Sequence, residues 1–267
     1  MELTDGQVAL VAAQAGADVV RRHYRTAVAK HLKAGTDFAT DADLEAETAI
    51  RAVLSRHRPG DAQLGEEHGA SGPDSPRRWL IDPLCGTRNF AAGLPMISTN
   101  VALSESGTIT AAASAEPAGD EVYWTDGESA WVRRSGTDVP ARPEAASLMV
   151  SLNLEVEPDA RRRASVLLAD PEFWSVYQPR IVSSTLALAW VAGGRHAAFL
   201  TEGDLREHVH FAAGVGLCQA AGCVVTDLEG GPLDTGAGPG TARGLLAAAD
   251  AATHAALLAL VRRAGAV

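Results

Sequence analysis

The stretch Trp79-Leu80-Ile81-Asp82-Pro83-Leu84-Cys85-Gly86-Thr87-Arg88-Asn89-Phe90 constrains this chain more than any other. Trp79 to Ile81 form a short apolar run, the pattern of a buried strand that delivers its last residue to a sheet edge. Asp82 is that residue. Pro83 lacks the amide proton that ladder pairing needs and stiffens the turn. Gly86 lets the backbone bend closely, and Thr87 and Asn89 offer side-chain caps. A carboxylate fixed at a strand end by a rigid turn is what a metal or phosphate site requires.

The rest of the chain alternates helix and strand patterns. Thr4 or Asp5 starts a helix running to about Tyr24, with Val8, Val11, Ala12, Ala15, Val19 and Val20 at helical spacing. Residues 33–43 read as a loop with short extended pieces. A second helix runs from Asp43 to about His57 and stops at Pro59-Gly60. Ala62 to Gly65 suits a strand tip, and Ala70 to Pro76 a surface loop. Ile97 to Leu103 and Thr108 to Ala115 flank a turn at Gly107; Val122 to Trp124 and Trp131 to Arg133 flank Asp126-Gly127, a hairpin signal. This part reads as an antiparallel meander.

Pro140 to Ala146 marks a boundary, giving an N-terminal α+β subdomain over 1–140 and a C-terminal α/β subdomain over 141–267 that closes a cleft. Beyond it, strands are expected at 148–152, 180–182, 196–200, 223–227 and 241–246. Helices are expected at 158–168, 185–191, from 207 or 208 to 221, and at 249–264, with a glycine-rich loop before Gly240. Alternation on this scale gives layered α/β packing.

Charge and cysteine usage narrow the function. A net charge of -10 argues against wrapping nucleic acid or anionic membranes. No stretch is long and apolar enough to span a bilayer, and the N-terminus lacks a secretory pattern. Cys85, Cys218 and Cys223 do not form a disulfide scaffold, so a reducing cytoplasm is the expected setting. Cys218 and Cys223 flank Gly222 and read as core. Glu66, Glu67 and Asp82 fall within one strand-turn-strand unit. By spacing alone two adjacent glutamates are a solvated surface. Converging from separate elements, such carboxylates suit a hard cation such as Mg²⁺.

The segment from Asp82 to Thr87 resembles the aspartate-proline-isoleucine-aspartate-glycine-threonine signature of the inositol monophosphatase superfamily. Gly65-Glu66-Glu67 is similar to that family's glycine-glutamate-glutamate segment. Lys33 through Asp37, Thr40, Asp43 and Glu47 are similar to its upstream block, in the same order. Weaker similarity continues through 184–194 and 212–227. The resemblance implies an αβαβα fold of alternating helix and sheet layers with the active site between subdomains. It implies a first Mg²⁺ held by Glu66, Asp82 and the Leu84 carbonyl, with Glu67 behind them or facing solvent. It implies a water oriented by Thr87 and Asp43, for which a turn cap and a helix cap are the plainer roles. It also implies phosphate contacts from the Gly86 and Thr87 amides, with Lys33 near the metal loop and Arg88 as an anion contact. The segment 201–204 would border the substrate, a small phosphorylated metabolite of inositol or sugar type. A homodimer using the apolar meander between Ile97 and Trp131 is the family-like assembly.

Two positions depart from the signature. Cys85 stands at the second aspartate, and His210, after Val209, at the aspartate of a tryptophan-aspartate pair. Thiol and imidazole do not suit Mg²⁺. One reading is loss of the second Mg²⁺ and impaired hydrolysis, or a protein that only binds phosphate compounds. Another is Zn²⁺ at Asp82, Cys85 and His210. A third makes Cys85 a nucleophile and His210 its base, without metal, for acyl transfer, cyclisation or lyase chemistry in a biosynthetic pathway. A near-normal phosphatase is the fourth. The family match predicts that Cys85 and His210 face each other within about 5 Å, the reach of a nucleophile and its base. His196 and His208 read as cap or surface groups.

Overall fold

The computed structural model describes residues 2–33, 35, 37–155, 162–203, 205, 209–233 and 244–265. In chain order the first part holds α1 (Asp5–His23), β1 (Lys30–Leu32), β2 (Phe38–Thr40), α2 (Asp41–His57), β3 (Ala62–Gly65), β4 (Gly69–Ser71), β5 (Arg77–Cys85) and α3 (Thr87–Ala91). The meander follows as β6 (Ser98–Glu105), β7 (Thr108–Ala115), β8 (Glu121–Thr125), β9 (Ala130–Arg134) and β10 (Thr137–Pro140). The second part holds β11 (Met149–Asn153), α4 (Arg162–Ala169), α5 (Pro171–Val176), β12 (Gln178–Ile181), α6 (Leu186–Ala192) and β13 (Ala198–Glu202). It ends with α7 (Ala212–Ala220), β14 (Val224–Thr226), β15 (Gly244–Ala248) and α8 (Ala251–Gly265).

Two sheets organise these elements. Eight strands run in the order β10-β9-β8-β7-β6-β5-β3-β4, and five in the order β12-β11-β13-β15-β14. The chain passes from the first sheet to the second between Pro140 and Met149. Helices α1 and α2 cover the outer face of the large sheet. Their interface buries Val8, Ala12, Ile50 and Leu54 against Trp79, Ile81, Val101 and Leu103. Helices α6 and α7 fill the space between the sheets, where Ala102 and Ala112 meet Ala212 and Ala213. Helices α4 and α8 cover the far face of the small sheet around Leu152, Leu200, Leu246 and Leu257. The layers are therefore α-β-α-β-α, as the family resemblance implies.

Local chemistry accounts for the elements that carry the site. Thr4 and Gln7 cap α1 reciprocally, the Gln7 N–H donating to Thr4 Oγ1 at 3.3 Å and the Thr4 N–H to Gln7 Oε1 at 3.0 Å. β3 and β5 are parallel neighbours in register Gly65↔Ile81, so Glu66 and Asp82 leave the sheet at the same edge. Against β6 the ladder of β5 shifts register between Asp82 and Cys85, where Pro83 cannot donate.

Several boundaries differ from the sequence reading. The 33–43 stretch, expected as a loop with short extended pieces, supplies β2, which pairs antiparallel with β1, and β4 overlaps the start of the expected 70–76 loop. The helix expected from 207 or 208 begins at Ala212, because residues 209–211 form a turn; 206–208 lie outside the described residues. The expected starts at 158 and 241 also lie outside them, and the observed elements begin at Arg162 and Gly244. The apolar side chains of the 97–131 meander, Val101, Leu103, Ala111, Ala113 and Val122 among them, are buried within the chain's own core. No helix among the described residues is long and apolar enough to cross a membrane.

Candidate active site

The site is built on two strand tips and one turn. The Glu66 N–H donates to the Ile81 carbonyl at 3.1 Å, continuing the β3–β5 ladder one residue past Gly65. A Cβ at Gly65 would fall 2.0 Å from Glu47 Oε1, so only glycine fits there. Glu47, fully buried on α2, accepts from the Glu67 N–H at 2.7 Å, the His68 N–H at 3.2 Å and Arg51 Nε at 2.7 Å. One buried carboxylate thus fixes the tip that presents Glu66.

Glu66, Asp82 and His210 each bring an atom within 4.8 Å of the others. His210 Nδ1 lies 2.9 Å from Asp82 Oδ2 and 3.7 Å from Glu66 Oε2. Asp82 is fully buried, and its Oδ1 has no hydrogen-bond partner. A buried carboxylate oxygen left unpaired costs free energy. Burial first, then the Asp82 charge, raises the Glu66 carboxyl to about 7. Burial pulls His210 down, but its hydrogen bond to Asp82 and the charges of Asp82 and Glu66 win, raising it to about 9.

Lys33 Nζ donates to Glu66 Oε1 at 3.0 Å and Glu67 Oε1 at 2.7 Å. The two carboxylates hold its titration above the ordinary lysine value despite burial. Lys33 is committed to carboxylates rather than open to a phosphate. The Glu67 side chain is 3% exposed and paired with Lys33, which agrees with the expectation that it stands behind Glu66 rather than with its solvent-facing alternative.

Thr87 Oγ1 lies 3.1 Å from both Asp43 Oδ1 and the Leu84 carbonyl, and its proton reaches one of them at a time. Asp43 Oδ2 accepts from the Thr40 N–H at 2.7 Å and Oγ1 at 2.6 Å, closing the capping box of α2. One Asp43 oxygen thus serves the helix cap and the other meets Thr87. Burial raises Asp43 to about 6. Gly86 has φ +92, and a Cβ there would meet the Met96 carbonyl at 2.9 Å. Asn89 braces the turn instead of capping it, donating to the carbonyls of Met96 at 2.8 Å and Ser183 at 3.1 Å.

Cys85 is placed differently from the sequence expectation. Its Sγ accepts from the Thr185 N–H at 3.2 Å and Oγ1 at 3.0 Å. Thr185 Oγ1 in turn accepts from Asn100 Nδ2 at 3.0 Å, and Ser114 Oγ donates to Asn100 Oδ1 at 2.7 Å. Burial and then the Asp82 charge push the Cys85 thiol well above its usual value. Cys85 lies outside the Glu66–Asp82–His210 cluster. The expected thiol–imidazole pair is not formed: the ring bonds Asp82, the sulfur bonds Thr185, and burial favours thiol over thiolate. The same placement leaves the expected Zn²⁺ trio without its sulfur.

Of these groups, Glu66, Cys85, Gly86, Thr87, Thr185 and His210 line a cleft of about 600 Å³. Leu84, Thr87 and Arg88 form one wall; Asn153, Glu155, Ser183 and Ser184 form the other. Arg88 approaches Glu155 at 3.8 Å across it. Asp37 also lines the cleft. Glu202 does not: it is buried, with Oε1 accepting from the Arg163 N–H at 3.1 Å, and Asp204 and His208 lie outside the described residues. Thr185, Asn153 and Glu155 were not read as site residues from sequence; they sit on the second sheet's side and carry no local signature.

The clustered donors fit a divalent cation. Glu66 and the orphaned Asp82 Oδ1 offer carboxylate oxygens and His210 a ring nitrogen, and an unpaired buried carboxylate oxygen asks for a positive charge.

Comparison with known proteins agrees. A profile described as "Inositol monophosphatase family" matches residues 2–266. The chain is 35% identical to an inositol-1-monophosphatase of Mesorhizobium japonicum, over 77% of this chain and 78% of the relative. It is 38% identical to a histidinol-phosphatase of Mycobacterium tuberculosis over 41% of each. Its fold superposes on the extragenic suppressor protein SuhB of Bartonella henselae with a TM-score of 0.84 at 26% identity, covering 96% and 98% of the two chains.

Proposed function

We propose a function from one premise: the chain belongs to the inositol monophosphatase family. It is a hydrolase-type enzyme acting on a small phosphomonoester, of inositol or sugar phosphate class, with a single divalent cation and slower turnover than a two-metal site would give. The observation that carries this reading is the Glu66–Asp82–His210 cluster with its orphaned Asp82 oxygen.

Glu66, Asp82 and the Leu84 carbonyl would hold Mg²⁺. Bound there, the cation supplies Lewis-acid polarisation of a phosphoryl oxygen. The remaining work falls to the chain. Thr87 Oγ, steered by Asp43 Oδ1, accepts a hydrogen bond from the attacking water and passes its own proton toward Asp43. Asp43, at about 6, is ionised at neutral pH and ready to receive it. Gly86, Thr87 and Arg88 line the cleft, and their backbone amides and the guanidinium would meet a phosphate there. Lys33 holds Glu66 and Glu67 in place.

A second cation lacks its ligands in this reading. The Cys85 sulfur is occupied by Thr185, and the His210 ring stands against Asp82. The thiol-catalyst alternative has less support, since burial and the Asp82 charge hold Cys85 protonated against the two hydrogen bonds that Thr185 donates to its sulfur.

The test combines Mg²⁺ titration by native mass spectrometry with phosphate release from a panel of inositol and sugar phosphates. One Mg²⁺ per chain and slow release are expected. Cys85→Asp with His210→Asp should add a second Mg²⁺ and raise turnover about 100-fold or more. Two Mg²⁺ per native chain with brisk hydrolysis would sink the single-cation reading. Phosphate binding with no turnover, before and after the double substitution, would make the protein a binder.

A further inference from the structure

The C-terminal end of α7 brings two thiols together, away from the cleft. Ala221 caps the helix and Gly222 takes φ +88. The Gly222 N–H donates to the Gln219 carbonyl at 3.1 Å, and the Cys223 N–H to the Cys218 carbonyl at 2.9 Å. This pair of bonds is the left-handed helix stop in which the residue three before the cap touches the residue after the glycine. Those two residues are Cys218 and Cys223. Cys218 is fully buried, and Cys223 is 9% exposed. Cys218 Sγ also donates to the Leu188 carbonyl at 3.3 Å. Direct interaction with the Cys223 side chain, then burial, raises the Cys218 thiol. Any two small apolar residues would fill this contact; what two thiols add is the capacity to bond.

We propose that Cys218 and Cys223 are a reversible dithiol–disulfide couple, a redox modification site that closes by exchange with low-molecular-weight disulfides. Cys223, nearer the surface, loses its proton and attacks one sulfur of R–S–S–R, giving a mixed disulfide and one thiolate, which takes up that proton. Cys218 then loses its proton and attacks the Cys223 sulfur, forming the internal bond and releasing the second R–SH. The protein gives up two electrons and two protons, and the oxidant becomes two thiols. Burial and the raised Cys218 titration make the exchange slow, because the turn must open before R–S–S–R can reach it. Gly222 is the link that opens. Once closed, the bond ties the start of β14 to the last turn of α7. Cys85, the third free cysteine, lines the cleft instead and serves as the internal contrast.

The full chain is incubated with excess oxidised glutathione at about pH 8, where more thiolate forms. It is then denatured, alkylated with iodoacetamide and mapped by mass spectrometry. Cys218 and Cys223 should be linked to each other, with loss of two hydrogen masses and no alkylation until dithiothreitol is added. Cys218→Ser should stop at glutathione on Cys223 with no such loss. The proposal is overturned if both cysteines in the native chain stay alkylatable, carry separate glutathiones, or link between chains. Loss of two hydrogens in Cys218→Ser would overturn it as well. The native-chain map decides by itself if that variant does not fold.

Discussion

The two ends of β5 carry charge in opposite ways. At its start, Arg77 bonds Asp61 Oδ1 through Nε at 2.9 Å and Asp5 Oδ2 at 3.0 Å, and it also pairs with Glu105. Trp79 Nε1 donates to Asp61 at 2.9 Å, and Arg58 Nε to Asp5 at 2.6 Å. Burial pushes Asp5 up, but hydrogen bonds from Arg58 and Arg77 win and hold it below the usual carboxylate value. At the strand's other end, burial and the Asp82 charge drive Glu66 up to about 7, and Asp82 Oδ1 is orphaned. The same strand thus ends in an arginine-bridged ion network at one side and, at the other, an acid cluster that keeps one buried oxygen unbonded. A network whose buried oxygens are all bonded holds a fold together; an acid cluster with an unbonded oxygen and a raised carboxyl is where the fold gives up stability for chemistry.

That contrast makes unequal predictions. The largest concerns Asp82→Asn. Removing the charge should lower phosphate release at least about a thousandfold, because a carboxylate that positions transition-state charge is lost. The thermal midpoint should move less than with Arg77→Met, since the amide keeps the side chain's shape and weakens one pair, to a half-exposed His210. An unfolded Asp82→Asn chain would break the comparison. Arg77→Met comes next and should do the reverse. It strands Asp61 without its cation while Asp5 keeps Arg58, costing ~3 kcal/mol in denaturant titration, with turnover per folded molecule within about twofold. Abolished turnover in a well-folded Arg77→Met chain would show that the two ends are not separable.

The smallest effect supplies a third kind of buried polar group. His196 sits against Ser151 Oγ at 2.5 Å, and burial first, then Arg180 and Arg195, lower it to about 4. The native state therefore favours the neutral ring. The stability this brings is fully present above the ordinary histidine value near 6.5 and is lost as pH falls from there toward about 4. The bound is ~3 kcal/mol from the shift alone, and partial hydration lowers it toward ~1 kcal/mol. His196→Gln should flatten the denaturation midpoint across that window. An unchanged slope would show that the ring does not titrate with folding.

Sequence reading reached the parts of the site whose chemistry is local. Gly65-Glu66-Glu67 and Asp82 to Thr87 announce their turns by residue type, and the pairing of β3 with β5 brings them together. Gly107 and Asp126-Gly127 likewise marked their hairpins, because positive φ selects glycine. What stayed hidden depends on contacts distant in sequence. Thr185 lies a hundred residues from Cys85, and no local pattern says that its amide and hydroxyl will claim the thiol. Lys33 reads as an anion contact until Glu66 and Glu67 are seen folded against it. The β1–β2 hairpin escaped because β1 is exposed on all three residues, leaving no alternation to read.

The polar bonds at the base of the cleft have a mechanical meaning. Cys85 to Thr185, Asn89 to the Ser183 carbonyl, and Asn100 to Thr185 all join the tip of the large sheet to the start of α6. The rim has the longer Arg88–Glu155 approach. A body stitched along its base holds its two halves at fixed spacing there, so any play between them would be felt least around Asp82 and most at the outer walls of the cleft. A fixed spine would spare the reacting groups from being reassembled on every cycle.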